Sequence, residues 1–188
     1  APFGLVVFLM TAYTRLDAIM LEKLRVDGLI QADRYASAFR LLDASNVGGV
    51  LLAGLLLPMF VRLLTTGESI NALVRLAISA IWSGAITLAI AVFFFASPIM
   101  HLLYVNATAE SARVVQWLML TFIPMSGTYV YGTLLTANGS LRPMNIIFAI
   151  SIAINLLLNF LLIPAYGAVG AAAATFATQA AAFIAQVL

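Results

Sequence analysis

The sequence predicts an all-α fold: a polytopic bundle of six membrane-spanning helices forming a single membrane-embedded unit over residues 1–188. Three observations carry that expectation. Hydrophobic residues make up 64% of the chain and charged residues 9%, at a mean hydropathy of +1.10, whereas a soluble domain carries roughly 25% charged residues. So few charges cannot cover a water-facing surface. Apolar runs recur at the length of a lipid span, about 20 residues, and none alternates in the strict apolar/polar manner of a half-buried strand.

The spans are read in order from the Gly, Pro, Asn and charged residues that punctuate them. The first covers 2–24 and stops at Lys23 and Arg25; the second covers 33–64, ahead of Gly67. The third, 76–100, follows Arg75 and closes at His101, and the fourth, 114–137, runs from Arg113 to Asn138-Gly139. The fifth covers 144–163 and the sixth 168–188, joined by Pro164-Ala165-Tyr166-Gly167, a tight turn that makes these two helices antiparallel. All connections are short, so successive helices are expected as antiparallel neighbours. Pro58 in the second span and Pro124 in the fourth, with Gly127 one turn on, are expected kinks. The start at Ala-Pro-Phe-Gly-Leu and the end inside an apolar run suggest a piece of a longer chain.

Several function classes find no support. No cysteine and a single histidine, His101, leave nothing for thiolate or histidine metal sites or for a Ser/His/Asp triad. No nucleotide-binding loop is present, and no cofactor is implied. A net charge of +2 gives no reason to expect nucleic acid as a partner. Arg62, Arg75 and Arg142 fall on one side, and Lys23, Arg25, Arg34 and Arg113 on the other, so the distribution of basic residues does not orient the chain.

Charge is concentrated in the first two spans and their connection, from Arg15 to Asp43. A charge at the centre of a spanning helix costs about 2.5–3.5 kcal/mol on insertion scales, so such residues face a partner or a wet cavity. Arg15, Asp17, Arg40 and Asp43 lie deepest and are the candidate substrate-binding residues. Arg15 and Asp17 sit on different helix faces, whereas Asp33, Ser37 and Arg40 share a face with Asp43 adjacent. Packing that stripe on the first helix would place Arg15 near Asp43, or Asp17 near Arg40. The same residues can be read as a structural ion-pair network or as a cavity lining, and guanidinium forks suit a phosphate or pyrophosphate. In the fifth span Ser151, Asn155 and Asn159 recur every four residues, as interhelical glue or as sugar contacts. Gly170, Ala174, Thr178 and Ala182 form a small-residue packing face in the sixth.

Two stretches carry a family resemblance. The run Arg15-Leu16-Asp17-Ala18-Ile19-Met20-Leu21, followed by Tyr35-Ala36-Ser37-Ala38-Phe39-Arg40-Leu41, resembles the opening of the second lobe in polysaccharide and oligosaccharidyl-lipid flippases. That family has an Asp-x-x-Met/Leu motif and then Tyr-Ala-x-Ala-x-(Arg/Lys)-Leu; the Gly common before its Tyr is here Arg34. The second stretch runs from Leu135-Thr136-Ala137-Asn138-Gly139 through Asn155 and Asn159 to Ile163-Pro164-Ala165-Tyr166-Gly167, then Gly170-Ala171-Ala172 and Ala174-Thr175. It is similar to that family's Asn-x-x-x-Asn helix, Pro-x-Tyr-Gly turn and Gly-Ala-Ala-x-Ala-Thr helix start. The order and spacing of the motifs are more specific than any one of them.

The resemblance implies the C-terminal six-helix lobe of a two-lobed alternating-access exporter of the multidrug/oligosaccharidyl-lipid/polysaccharide superfamily. It implies a bacterial or archaeal cytoplasmic membrane, an N-terminal lobe as partner and a polyprenyl-pyrophosphate oligosaccharide as cargo. Multidrug or organic-cation antiporters and lipid II flippases share the architecture and are the alternatives. An intramembrane glycosyltransferase would need a catalytic base and an extramembrane loop, neither of which is evident, so transport is expected rather than enzymatic catalysis. A structural membrane scaffold is the remaining reading.

Overall fold

The computed structural model describes residues 16–188. Helix α1 covers 16–24, and α2 (Gly28–Thr66), α3 (Asn71–Leu103), α4 (Ala109–Ala137) and α5 (Leu141–Val187) follow. No strand occurs among the described residues, and α2 to α5 are each long and apolar enough to cross a membrane. The all-α membrane-helix character expected from the sequence is therefore present. Of the six expected spans, the second, third and fourth fall within α2, α3 and α4, and the fifth and sixth within α5. The span 2–24 lies mostly outside the described residues.

α4 is the central element. It packs on α2, α3 and α5, and 44% of its most apolar stretch is buried against 17–22% for the other three. Its N-terminus is built by Thr108, whose hydroxyl accepts from the Ser111 amide, with Glu110 in the first turn where an acid favours the helix dipole. Glu110 also binds Arg34 of α2. Small residues set the close approaches: a Cβ on Gly49 would lie 2.3 Å from the Tyr129 ring, and one on Gly127 would lie 2.4 Å from Phe183. The first of these joins α2 to α4 and the second α4 to α5, and the expectation of α2 and α3 as packed neighbours does not hold. That pair makes little contact despite its short link and meets near its shared end, where Leu56, Phe60 and Ala77 close over Val130 of α4.

Helical backbone geometry breaks at Phe95 and at Gly167. The expected kink positions, Pro58 and Pro124, lie inside the continuous α2 and α4. Near Phe95 (φ −105°, ψ 17°) the cause is Pro98, which has no amide hydrogen to offer one turn back. The carbonyl of Phe93, next to the one Pro98 leaves without its donor, accepts from the Gln116 side-chain amide of α4 at 2.9 Å. An interhelical bond thus braces the bend.

Gly167 folds α5 into two arms. Asn159 and Thr175 both bond Asp17, although in a straight helix 16 residues would separate them by roughly 24 Å. The expected turn is therefore present, with the helical pattern continuing through Pro164 and only Gly167 leaving it. At φ 57°, ψ −136°, Gly167 occupies a region essentially closed to residues with a Cβ. The close approach extends to Gly170, whose added Cβ would lie 2.5 Å from the Leu162 carbonyl oxygen. Gly170, Ala174, Thr178 and Ala182 are all buried, as their small-residue spacing implies.

The α1–α2 junction clamps this elbow. Arg25 donates to the Pro164 carbonyl at 3.1 Å and to Asp27, Asp27 accepts from Gln31 at 2.9 Å, and Gln31 accepts from the Ala168 amide at 2.9 Å. The Arg25 and then the Gln31 hydrogen bonds hold the Asp27 carboxyl at about 2, below its usual 3.8. A lowered carboxylate pKa stabilises the fold above the ordinary value and loses that effect as pH falls through the folded one, so the clamp weakens between 3.8 and about 2.

Gly167→Ala is expected to lower stability by about 1–3 kcal/mol through backbone strain, and its Cβ would displace the Gln31 amide, 2.5 Å away. Gly84→Ala, in helical backbone with nothing within 4 Å, should be neutral or slightly stabilising. Unfolding midpoints of the two variants in one detergent would show the contrast; equal midpoints would contradict it.

Candidate functional site

Asp17 in α1 is 1% exposed, and three elements supply its partners. Tyr35 of α2 donates its hydroxyl to Oδ2 at 2.5 Å, Asn159 of the first arm of α5 donates its amide to Oδ1 at 2.6 Å, and the Thr175 hydroxyl of the second arm lies 2.9 Å from Oδ2. Asn155, one turn before Asn159, accepts from the same amide at 3.0 Å. Periodicity positions these groups: Tyr35, Ala38 and Leu42 mark the buried face of α2, and Asn155, Asn159 and Ile163 that of the first arm. A carboxylate in an apolar bundle must be met by donors, and each donor here comes from a helix that could otherwise slide or tilt independently.

The hydroxyl protons at this site are outnumbered by the oxygen contacts. Thr175 Oγ1 also lies 3.0 Å from the Ala171 carbonyl and 3.2 Å from the Tyr35 hydroxyl. With the Tyr35 proton on Oδ2, the single Thr175 proton serves either Ala171 or Asp17. Two of the four contacts therefore carry no hydroxyl proton at any one time. Asn159 Oδ1 is a further buried acceptor, and Asn155 Nδ2 a buried donor, without a hydrogen-bond partner among the described residues. One carboxylate with neutral amide, hydroxyl and carbonyl oxygens is chemically suited to a proton or a small monovalent cation. No group of three or more His, Cys, Asp or Glu that could hold a metal ion occurs among the described residues.

The other candidate residues are placed differently. Arg40 and Asp43 are exposed on α2, Arg40 across the helix from Tyr35 and Leu42, and the ion pairs among the described residues are Arg25–Asp27 and Arg34–Glu110. The expected Asp17–Arg40 pairing does not form, because Asp17 sits on the inner side of α2 and Arg40 on the outer. Arg15, and with it the proposed Arg15–Asp43 contact, lies outside the described residues. Within the polar stripe, the Ser37 carbonyl accepts from the Tyr104 hydroxyl at 3.1 Å.

Sequence reasoning selected Asp17 but not its partners as one site. Tyr35, Asn159 and Thr175 were each visible inside a motif, separated by up to 140 residues. The signal that could have joined them is the requirement that a buried acid find donors, together with the polar residues on otherwise apolar helix faces. No protein-family model matches this chain, and no curated protein matches it.

Asp17→Ala is expected to cost about 1–3 kcal/mol, since it strands buried donors. Asp17→Asn, which keeps an acceptor oxygen and the side-chain volume, should cost less. Denaturant titrations in lipid bicelles would rank them, and an alanine variant as stable as the wild type would show that the carboxylate holds nothing together.

Proposed function

We propose that this chain is a six-helix lobe of an alternating-access membrane transporter, whose cargo is a polyprenyl-pyrophosphate-linked oligosaccharide carried across a bacterial or archaeal cytoplasmic membrane. The observation that carries this reading is convergence. The segments that resemble the flippase family contribute Asp17, Tyr35, Asn155, Asn159 and Thr175, and these residues meet around one buried carboxylate. Residues from separate motifs share one physical role, and that supports reading them together.

In this reading the two faces of α2 divide the work. Tyr35 and Leu42 face inward, linking α2 to α1 and α5, while Arg40 and Asp43 face outward, where a second lobe and a central cavity would lie. Arg15 and Arg40 bind the diphosphate, and Asp17 and Asp43 orient the guanidinium groups or respond as access changes. For Asp17 that role is indirect, through the position of α1, since its hydrogen bonds run to Tyr35, Asn159 and Thr175. A planar guanidinium can bind a phosphate oxygen pair bidentately. A buried acid able to take up a proton or cation would couple that cycle to an ion gradient, a feature that also fits the organic-cation antiporter.

In the full-length protein, Arg15→Ala and Arg40→Ala should abolish glycan export at unchanged membrane insertion, with Lys restoring only part because the bidentate fork is lost. Complementation at matched expression reads this out. Wild-type export by the double alanine variant would overturn the assignment. Resistance to organic cations without an effect on glycan export would favour the antiporter, and a defect confined to cell-wall precursor translocation would favour a lipid II flippase.

A further inference from the structure

A cleft of about 360 Å³ lies between α3 and α4, away from Asp17 and from the outer face of α2. It is lined by Asn71, Val74, Arg75, Ile78 and Ser79 of α3 and by Tyr131 of α4. Its only charged lining group is a cation. Arg75 is exposed, and among the described residues neither its guanidinium nor the side chains of Asn71, Ser79 and Tyr131 has a hydrogen-bond or ion-pair partner. Val74 and Ile78 give the cleft an apolar wall, and Tyr131 stands edge-on to Phe183 at 5.9 Å, which fixes the ring that forms the opposite side.

The depth of the cleft identifies the occupant. α3 has 33 residues and is roughly 50 Å long at about 1.5 Å per residue, against a hydrocarbon core of about 30 Å. Centred on the core, the helix extends roughly 10 Å beyond it at each end, so Asn71 and Arg75 stand at the level of the lipid headgroups and Ile78 and Ser79 at the edge of the acyl region. At that level an unpaired arginine between two helices meets phosphate, and basic interhelical pockets are suited to anionic headgroups. The side chains match an amphiphile: Arg75, Asn71, Ser79 and Tyr131 offer donors beside the apolar Val74 and Ile78.

We propose that this cleft is a binding site for the phosphate headgroup of an anionic phospholipid, with the adjoining apolar part of the lipid against Val74 and Ile78. The phosphate sits on the Arg75 guanidinium, with Asn71 and the Ser79 and Tyr131 hydroxyls as further donors. This site does not depend on the transport reading: it requires only that α3 cross a bilayer.

The test is lipid retention by the purified protein, measured by native mass spectrometry after release from nanodiscs of phosphatidylglycerol and phosphatidylcholine mixed in equal amounts. Phosphatidylglycerol is expected to be retained preferentially, with about a tenfold loss in Arg75→Ala, partial retention in Arg75→Lys and no loss in Arg142→Ala, which removes the same charge elsewhere. Circular dichroism of each variant confirms that the fold persists. Equal retention of the two lipids would overturn the proposal, as would equal losses in Arg75→Ala and Arg142→Ala, which would mark a general surface-charge effect. Displacement of the retained lipid by millimolar inorganic phosphate would reassign the cleft to a soluble anion and likewise overturn the lipid assignment.

Discussion

A carboxylate without water must be surrounded by donors, and in a bundle of apolar helices those donors have to come from other helices. Asp17 imposes that constraint here. Its partners reach it from α2 and from both arms of α5, so the position of α1, the tilt of α2 and the closure of the α5 elbow are specified together. Interhelical hydrogen bonds in membranes average about 0.6 kcal/mol. A shared acceptor differs, because removing it disappoints every donor at once.

The elbow is the second half of the same arrangement. For Asn159 and Thr175 to reach one carboxylate, α5 must turn back between them, and Gly167 provides a backbone geometry that other residues resist. Around it, Arg25, Asp27 and Gln31 tie the Pro164 carbonyl and the Ala168 amide to the junction of α1 and α2. The clamp and the buried cluster therefore grip the same two arms at different levels. A movement that opens one loads the other, which gives a bundle of this kind few ways to move except as connected helices.

Much of the fold was legible from the sequence. Composition identified the solvent, apolar run length identified the helices, and the Pro164 to Gly167 segment identified the turn. Packing order was not legible: α4 packs on α2, α3 and α5, with Gly49 of α2 taking the Tyr129 ring of α4 and Gly127 of α4 taking the Phe183 ring of α5, and loop length carries no record of that. Nor was the break at Phe95, ahead of Pro98, where the backbone leaves helical geometry, while Pro58 and Pro124 are carried inside continuous helices. At the site, helical spacing correctly set Asn155 and Asn159 on one face. It could not say that the acid they serve is Asp17, because that pairing depends on three-dimensional closure. The opposite-charge pairing of Asp17 with Arg40 was the natural guess from charge alone, and it fails because the two occupy opposite sides of α2.

The central claim is that one buried carboxylate, Asp17, couples α1, α2 and both arms of α5, and a double-mutant cycle between Tyr35→Phe and Asn159→Ala tests it most directly. These residues sit on different helices and share Asp17 as their acceptor. Unfolding free energies in bicelles should give a coupling of about 0.5–3 kcal/mol in the wild-type background that disappears when Asp17 is replaced by alanine. Additive effects with Asp17 present, or a coupling that persists without it, would contradict the account.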